Sequence, residues 1–145
     1  MPAPAALSRQ ASQAFAGAYR RVGVETGVDA ATPHQLVAML FEGCADAIAE
    51  ARTALQRGAV EAKCKAVTRA VRIVDEGLKA ALDVKAGGKL AEDLLALYGY
   101  LTLRLTQANL HNDAAALDEC QALLEPVRGA WAAIGPAASA AADVQ

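Results

Sequence analysis

The side chains that could do acid–base, nucleophilic or metal chemistry are few in this chain, and poorly placed for it. The histidines are His34 and His111. His34 falls in the first turn of a predicted helix. His111 falls at the end of another, where an imidazolium would complement the negative end of the helix dipole. A di-iron centre between helices is built on Glu-x-x-His pairs, and no such pair occurs. Cys44, Cys64 and Cys120 are widely spaced, with no C-x-x-C among them. Their odd number argues against a closed disulfide framework. All three lie on apolar helical stripes, where cysteine acts as a small hydrophobe. Glu42, Asp46 and Glu50 form an i, i+4 ladder of the kind that solvates a helix face. Nothing resembles a phosphate loop, a nucleophile with its base or a Cys/His metal cluster. No catalytic residue, cofactor site or metal site is therefore assigned, and the chain reads as a non-enzyme. The enzyme-like alternative is a histidine-phosphotransfer bundle, which presents an exposed histidine near mid-helix. His34 and His111 both sit at helix ends and fit that role poorly.

These residues belong to a strongly helical chain. Its 145 residues suit one domain with one core. Alanine accounts for 37 of them, which favours closely packed helices over bulk hydrophobicity. Net charge is −2 with both signs interspersed, so the basic stripe expected of a nucleic-acid binder is missing. No apolar run approaches the roughly 18–20 residues that span a bilayer. The N-terminus lacks the charged and apolar regions of a secretory signal. A cytoplasmic protein, without membrane insertion, is the expectation.

The helices can be placed from their punctuation. Thr32 is a good N-cap, Pro33 suits the first helical position, and Gln35 can reach back to close a capping box. Leu36, Val37, Leu40, Cys44, Ile48, Ala51 and Leu55 then line one face, giving a first helix from about Pro33 to Arg57 that ends at Gly58. A second, about Ala59 to Lys85, carries Val60, Cys64, Val67, Val71, Val74, Leu78 and Ala81 at heptad spacing. Gly87-Gly88 breaks the chain. A third, about Lys89 to His111, uses Leu90, Leu94, Leu97, Leu101, Leu105 and Ala108. Asn112-Asp113 makes a tight turn into the fourth, about Ala114 to Ile134, with Leu117, Cys120, Leu124, Val127 and Trp131. Four helices of similar length joined by short turns must alternate in direction. The predicted fold is all-α, an antiparallel up-down four-helix bundle over residues 32–134. A flexible tail (1–14) and a cap segment with loop (15–31), which holds a short helix bearing Phe15, Tyr19 and Val22 on one face, precede it. A small-residue tail (135–145) follows.

The bundle leaves apolar side chains over. Beside its seam the third helix carries Leu95, Tyr98, Tyr100 and Leu103, and the second adds Ile73 and Leu82. They either widen the core or form a long groove for an amphipathic helix from a partner. Gly43 and Gly99, in mid-helix, each cost about 1 kcal/mol relative to alanine, which close helix approach would justify. An exposed apolar face would serve equally a second copy of the chain, as a homodimer, or a client. A generic helix-binding adaptor is thus as far as the residues alone lead.

The motifs, taken in order, resemble the flagellar secretion chaperone family FliS. They are Ala18-Tyr19-Arg20-Arg21-Val22-Gly23-Val24-Glu25; the helix start from Thr32 to Cys44; Ile73 through Asp83; Gly87-Gly88-Lys89-Leu90-Ala91 through Ala96-Leu97-Tyr98-Gly99-Tyr100-Leu101, with Arg104-Leu105 and Asn112-Asp113; and Ala130-Trp131. Two positions depart from the family pattern: Gly99 replaces a polar residue between the tyrosines, and Leu103 replaces the first of two arginines.

The resemblance implies a cytosolic, non-catalytic export chaperone. Such a protein binds the disordered C-terminal segment of flagellin, prevents its premature polymerisation and helps deliver it to the flagellar type III export apparatus, where the complex meets the platform protein FlhA. On this reading Ile73, Leu78, Leu82, Leu95, Tyr98 and Leu103 form the flagellin groove. Phe15, Tyr19 and Val22 either act as a lid that moves aside for flagellin or, through Tyr19, complete the core.

Overall fold

A computed structural model describes residues 31–134 of the chain. The tails, residues 15–30 of the cap segment, and with them Phe15, Tyr19 and Val22, expected there as a lid or as part of the core, lie outside the described residues. Four helices make up the rest: α1 (Pro33–Gln56), α2 (Val60–Arg72, continued by a π-helical turn, Ile73–Leu78), α3 (Val84–His111) and α4 (Ala114–Ile134).

The capping expected at the start of α1 is present in both directions. The Gln35 amide donates to Thr32 Oγ1 at 3.1 Å, and the Thr32 amide donates to Gln35 Oε1 at 2.8 Å. Two otherwise orphaned donors are thereby satisfied. At the other end Gly58 turns the chain with φ +73°. Between α3 and α4, Asn112 adopts the left-handed conformation (φ 50°, ψ 48°), and Asp113 Oδ1 caps the Ala116 amide at 3.2 Å.

Each helix packs against two others, α1 against α2 and α4, and α3 against the same two. Two cross-links at one end of the bundle fix the antiparallel sense. Arg52, late in α1, pairs with Asp118, early in α4, at 2.7 Å. Lys63, early in α2, reaches Asn109, late in α3. The predicted up-down bundle is the observed one. Its core holds Leu40, Phe41, Ile48, Val67, Ile73, Leu78, Leu101, Leu105, Leu117 and Leu124.

The second helix departs from expectation. Its periodicity predicts one helix to Lys85, but the backbone widens at Ile73–Leu78, where the Lys79 amide donates to the Val74 carbonyl at 2.8 Å. The α-helix is not resumed, and Asp83 becomes the N-cap of α3, accepting from the Ala86 amide at 3.1 Å. This wide turn packs tightly against α1. A Cβ on Gly77 would stand 2.8 Å from Leu40 Cδ2, and one on Gly43 would stand 3.3 Å from Ile73 Cδ1. The expected break at Gly87-Gly88 is a kink at Gly88 (φ 59°, ψ −139°), with a short helical turn before it.

Candidate partner-binding surface

From Leu94 to Leu110, α3 carries a single charged side chain, Arg104. A helix on the surface of a bundle ordinarily turns charged and polar residues outward. Here the outward strip instead presents Leu95, Ala96, Leu103 and Leu110, with Leu103 54% and Leu110 75% exposed. At 1.5 Å per residue, the strip from Leu95 to Leu110 is about 22 Å long. Its threonines bond locally: Thr102 Oγ1 donates to the Gly99 carbonyl at 3.0 Å, and Thr106 Oγ1 to the Thr102 carbonyl at 2.8 Å. Val60 adds an exposed apolar group in the first turn of α2, beside the last turn of α3.

One border of the strip is fixed by a polar cluster. Tyr100 donates its hydroxyl proton to Glu119 Oε2 at 2.5 Å, and Arg104 Nε donates to Glu119 Oε1 at 2.8 Å. The two hydrogen bonds, from Tyr100 first and Arg104 second, hold the Glu119 carboxyl below the usual range. The bond to Glu119 also raises the Tyr100 phenol above its ordinary value. Elsewhere the bundle surface is laced with charge: Arg128 pairs with Glu42 and Glu125, Arg52 with Asp118, and Arg69 with Glu50 at 3.5 Å. The contrast sets the α3 strip apart.

The six residues expected in the groove divide between surface and core. Leu95 and Leu103 are exposed and share the outward strip, and Leu82 is half-buried. Ile73, Leu78 and Tyr98 are instead core side chains, no more than 2% exposed. Ile73 lies over Gly43, where the missing side chain makes room for it. Burial raises the Tyr98 phenol well above its usual value, with Cys44 adding to the shift. Leu110 belongs to the strip and was legible only as an apolar residue outside the seam.

His34, Cys44 and Cys120 are occupied with packing, whereas Cys64 is partly exposed and His111 is exposed in the last turn of α3. His34 is buried, and its Nε2 lies 2.9 Å from the Trp131 carbonyl oxygen. A phosphotransfer histidine needs an accessible ring nitrogen near mid-helix; His34 is buried and His111, though exposed, is the last residue of α3, so that alternative is disfavoured. Burial pushes the Cys44 thiol up to about 12 and the Cys120 thiol up to about 11. Among the described residues, no group of three or more His, Cys, Asp and Glu is placed to hold a metal ion. Nor is any described helix long and apolar enough to cross a membrane. Lys63 is the residue that sequence reasoning missed. The residue is 1% exposed, and its ammonium donates to the Asn109 carbonyl at 2.7 Å and to Asn109 Oδ1 at 2.8 Å.

Comparison with known proteins agrees with a bundle built for binding. The family described as "Flagellar protein FliS" matches residues 15–138. The flagellar secretion chaperone FliS of Salmonella typhimurium is 48% identical over 122 residues, covering 84% of this chain and 90% of that protein. The FliS chaperone of Escherichia coli is 39% identical over 79% of this chain and 84% of its own length. The flagellar secretion chaperone FliSB of Pseudomonas aeruginosa is 40% identical over 78% of this chain and 89% of its own. With residues 15–138 matched by the family and relatives 39–48% identical over 78–84% of its length, the chain belongs to the FliS family of flagellar proteins.

Proposed function

We propose that this protein is a cytosolic export chaperone for flagellin, and that the outward strip of α3 is a principal part of its client surface. The observation that carries the second half is the run of Leu95, Leu103 and Leu110 on a surface helix with no charge on that face. The client is the C-terminal segment of flagellin, disordered before assembly. Its amphipathic stretches fold against the rigid bundle and bury apolar area that would otherwise drive polymerisation. Ordering a disordered chain costs several kcal/mol, which keeps such a complex releasable. Release takes place at the type III export apparatus, where the chaperone–flagellin complex meets FlhA. The role is one of binding and delivery, without catalysis.

Phe15, Tyr19 and Val22 belong to this proposal as a lid over the client surface. Deleting residues 1–24 then raises flagellin affinity. A loss of thermal stability with no gain in affinity supports the other role, in which Tyr19 completes the core. The apolar strip would also suit a second copy of the chain. Light scattering on the protein with and without flagellin separates the two: a dimer that flagellin dissociates means both use one surface.

Co-purification tests the function itself. Flagellin should be retained by this protein, and flagellin lacking its C-terminal segment should not. Retention of both forms alike would contradict the proposal.

A further inference from the structure

α3 contains a glycine for which the packing of the described residues has no use. Gly43 and Gly77 make room for Ile73 and Leu40, and Gly58 and Gly88 adopt positive φ. Gly99 does neither. It lies mid-helix with helical geometry, and apart from its chain neighbours and its own helix backbone no described atom comes within 4 Å of where its Cβ would stand. Glycine in a helix interior lowers helix stability relative to alanine, so the position carries an unrecovered cost. Gly129 also faces open space, but its helical neighbours are Glu125, Pro126, Ala132 and Ala133, with no large apolar side chain to frame a site.

The neighbours of Gly99 do frame one. Ala96, Gly99, Tyr100 and Leu103 stand at i, i+3, i+4 and i+7, the four corners of a hole that receives one side chain of a packed helix. Ala96, Tyr100 and Leu103 are all exposed. Two corners are small and two are large, which makes the hole deep on one side and walled on the other. The Tyr100 wall is held by the 2.5 Å bond to Glu119, itself held by Arg104 at 2.8 Å. A hole with a fixed wall loses little freedom when it is filled.

We propose that this hole is the anchor point of the client surface: a large apolar side chain (Leu, Met or Phe) of an amphipathic client helix seats over Gly99, between Ala96, Tyr100 and Leu103. The inference rests on the reading of the α3 strip as the flagellin surface, and makes Gly99 its specificity-determining residue. A Cβ at position 99 fills the floor of the hole and lifts the client helix away from the strip.

The test uses the full chain and the C-terminal segment of flagellin, with Gly99→Ala, Gly99→Leu and, as control, Gly129→Ala. Gly99→Ala should raise Tm, since alanine favours the helix and meets nothing, while weakening flagellin binding about 5- to 10-fold. Gly99→Leu should weaken it further with the bundle still folded by circular dichroism. Gly129→Ala should raise Tm and leave affinity unchanged. A variant that is more stable yet binds less well cannot be explained by misfolding. Tight binding by wild type and by both Gly99 variants alike would overturn the anchor while sparing the α3 reading. No binding by wild type would overturn both.

Discussion

His34 and Trp131 hold each other by two hydrogen bonds and a stacked face. Trp131 Nε1 donates to the His34 carbonyl at 3.0 Å, His34 Nε2 lies 2.9 Å from the Trp131 carbonyl oxygen, and the rings stack with centroids 5.0 Å apart at 11°. The first turn of α1 is thus tied to the end of α4, and the histidine of the family's opening motif serves as a clamp. Trp131→Phe keeps an aromatic face but loses the indole donor, and should cost about 1 kcal/mol. Trp131→Ala should cost about 2–3 kcal/mol, the ring being only partly buried. Urea denaturation of both variants checks the difference.

Lys63 takes the place of a helix C-cap supplied from a neighbouring helix. The Asn109 carbonyl is among the last four of α3, which have no partner within the helix. Lys63→Ala strands that buried acceptor and removes the packed stem, so a loss of about 2–3 kcal/mol is expected. Lys63→Met restores the stem and should lose less. Equal losses would show that the hydrogen bonds of the ammonium, and not the packed stem, account for the position.

The crossing of α1 over α2 has no room for a methyl group at Gly77. Gly77→Ala should destabilise by about 1–3 kcal/mol through the contact with Leu40, despite the better helix propensity of alanine. Gly43→Ala, 3.3 Å from the flexible end of Ile73, should be milder. Thermal melts of the two variants give the ranking.

The thiols should separate in a labelling experiment. Native protein at pH 8 should take one equivalent of a maleimide, at the partly exposed Cys64, with Cys44 and Cys120 labelled only on unfolding. Burial raises the folded-state values of Cys44 and Cys120 from 9.0 to about 12 and about 11. The unfolded chain therefore releases these protons first. Their contribution is whole below pH 9 and lost as pH rises from 9 toward 12, so stability should fall across that window. Serine at both positions should flatten the fall.

What the sequence made legible was what local grammar encodes. Thr32, Pro33 and Gln35 announce the start of α1, and Asn112-Asp113 the last turn, because capping depends on residues three or four apart. The π-turn at Ile73–Leu78 was illegible, since the apolar rhythm of α2 runs through it undisturbed and its counterpart, Leu40, lies on another helix. Lys63 reads as a solvent residue until Asn109 is seen beside it. The clamp joins positions 97 residues apart. Leu95 and Leu103 could be recognised as surplus to the seam of α3. Ile73 and Tyr98 could not be told from them, because inward and outward directions on a broad apolar helix depend on how its neighbours are set around it; Leu78, on the seam of α2, already read as inward.

A client lying on the outward strip of α3 would be displaced most directly by Leu103→Glu. The side chain is more than half exposed, so the change should leave the bundle folded, with an unaltered helical circular dichroism spectrum and Tm within a few degrees. Isothermal titration with the C-terminal segment of flagellin should then show binding weakened at least 100-fold, as a carboxylate is forced into an apolar contact. Wild-type affinity in a correctly folded Leu103→Glu protein would contradict the account.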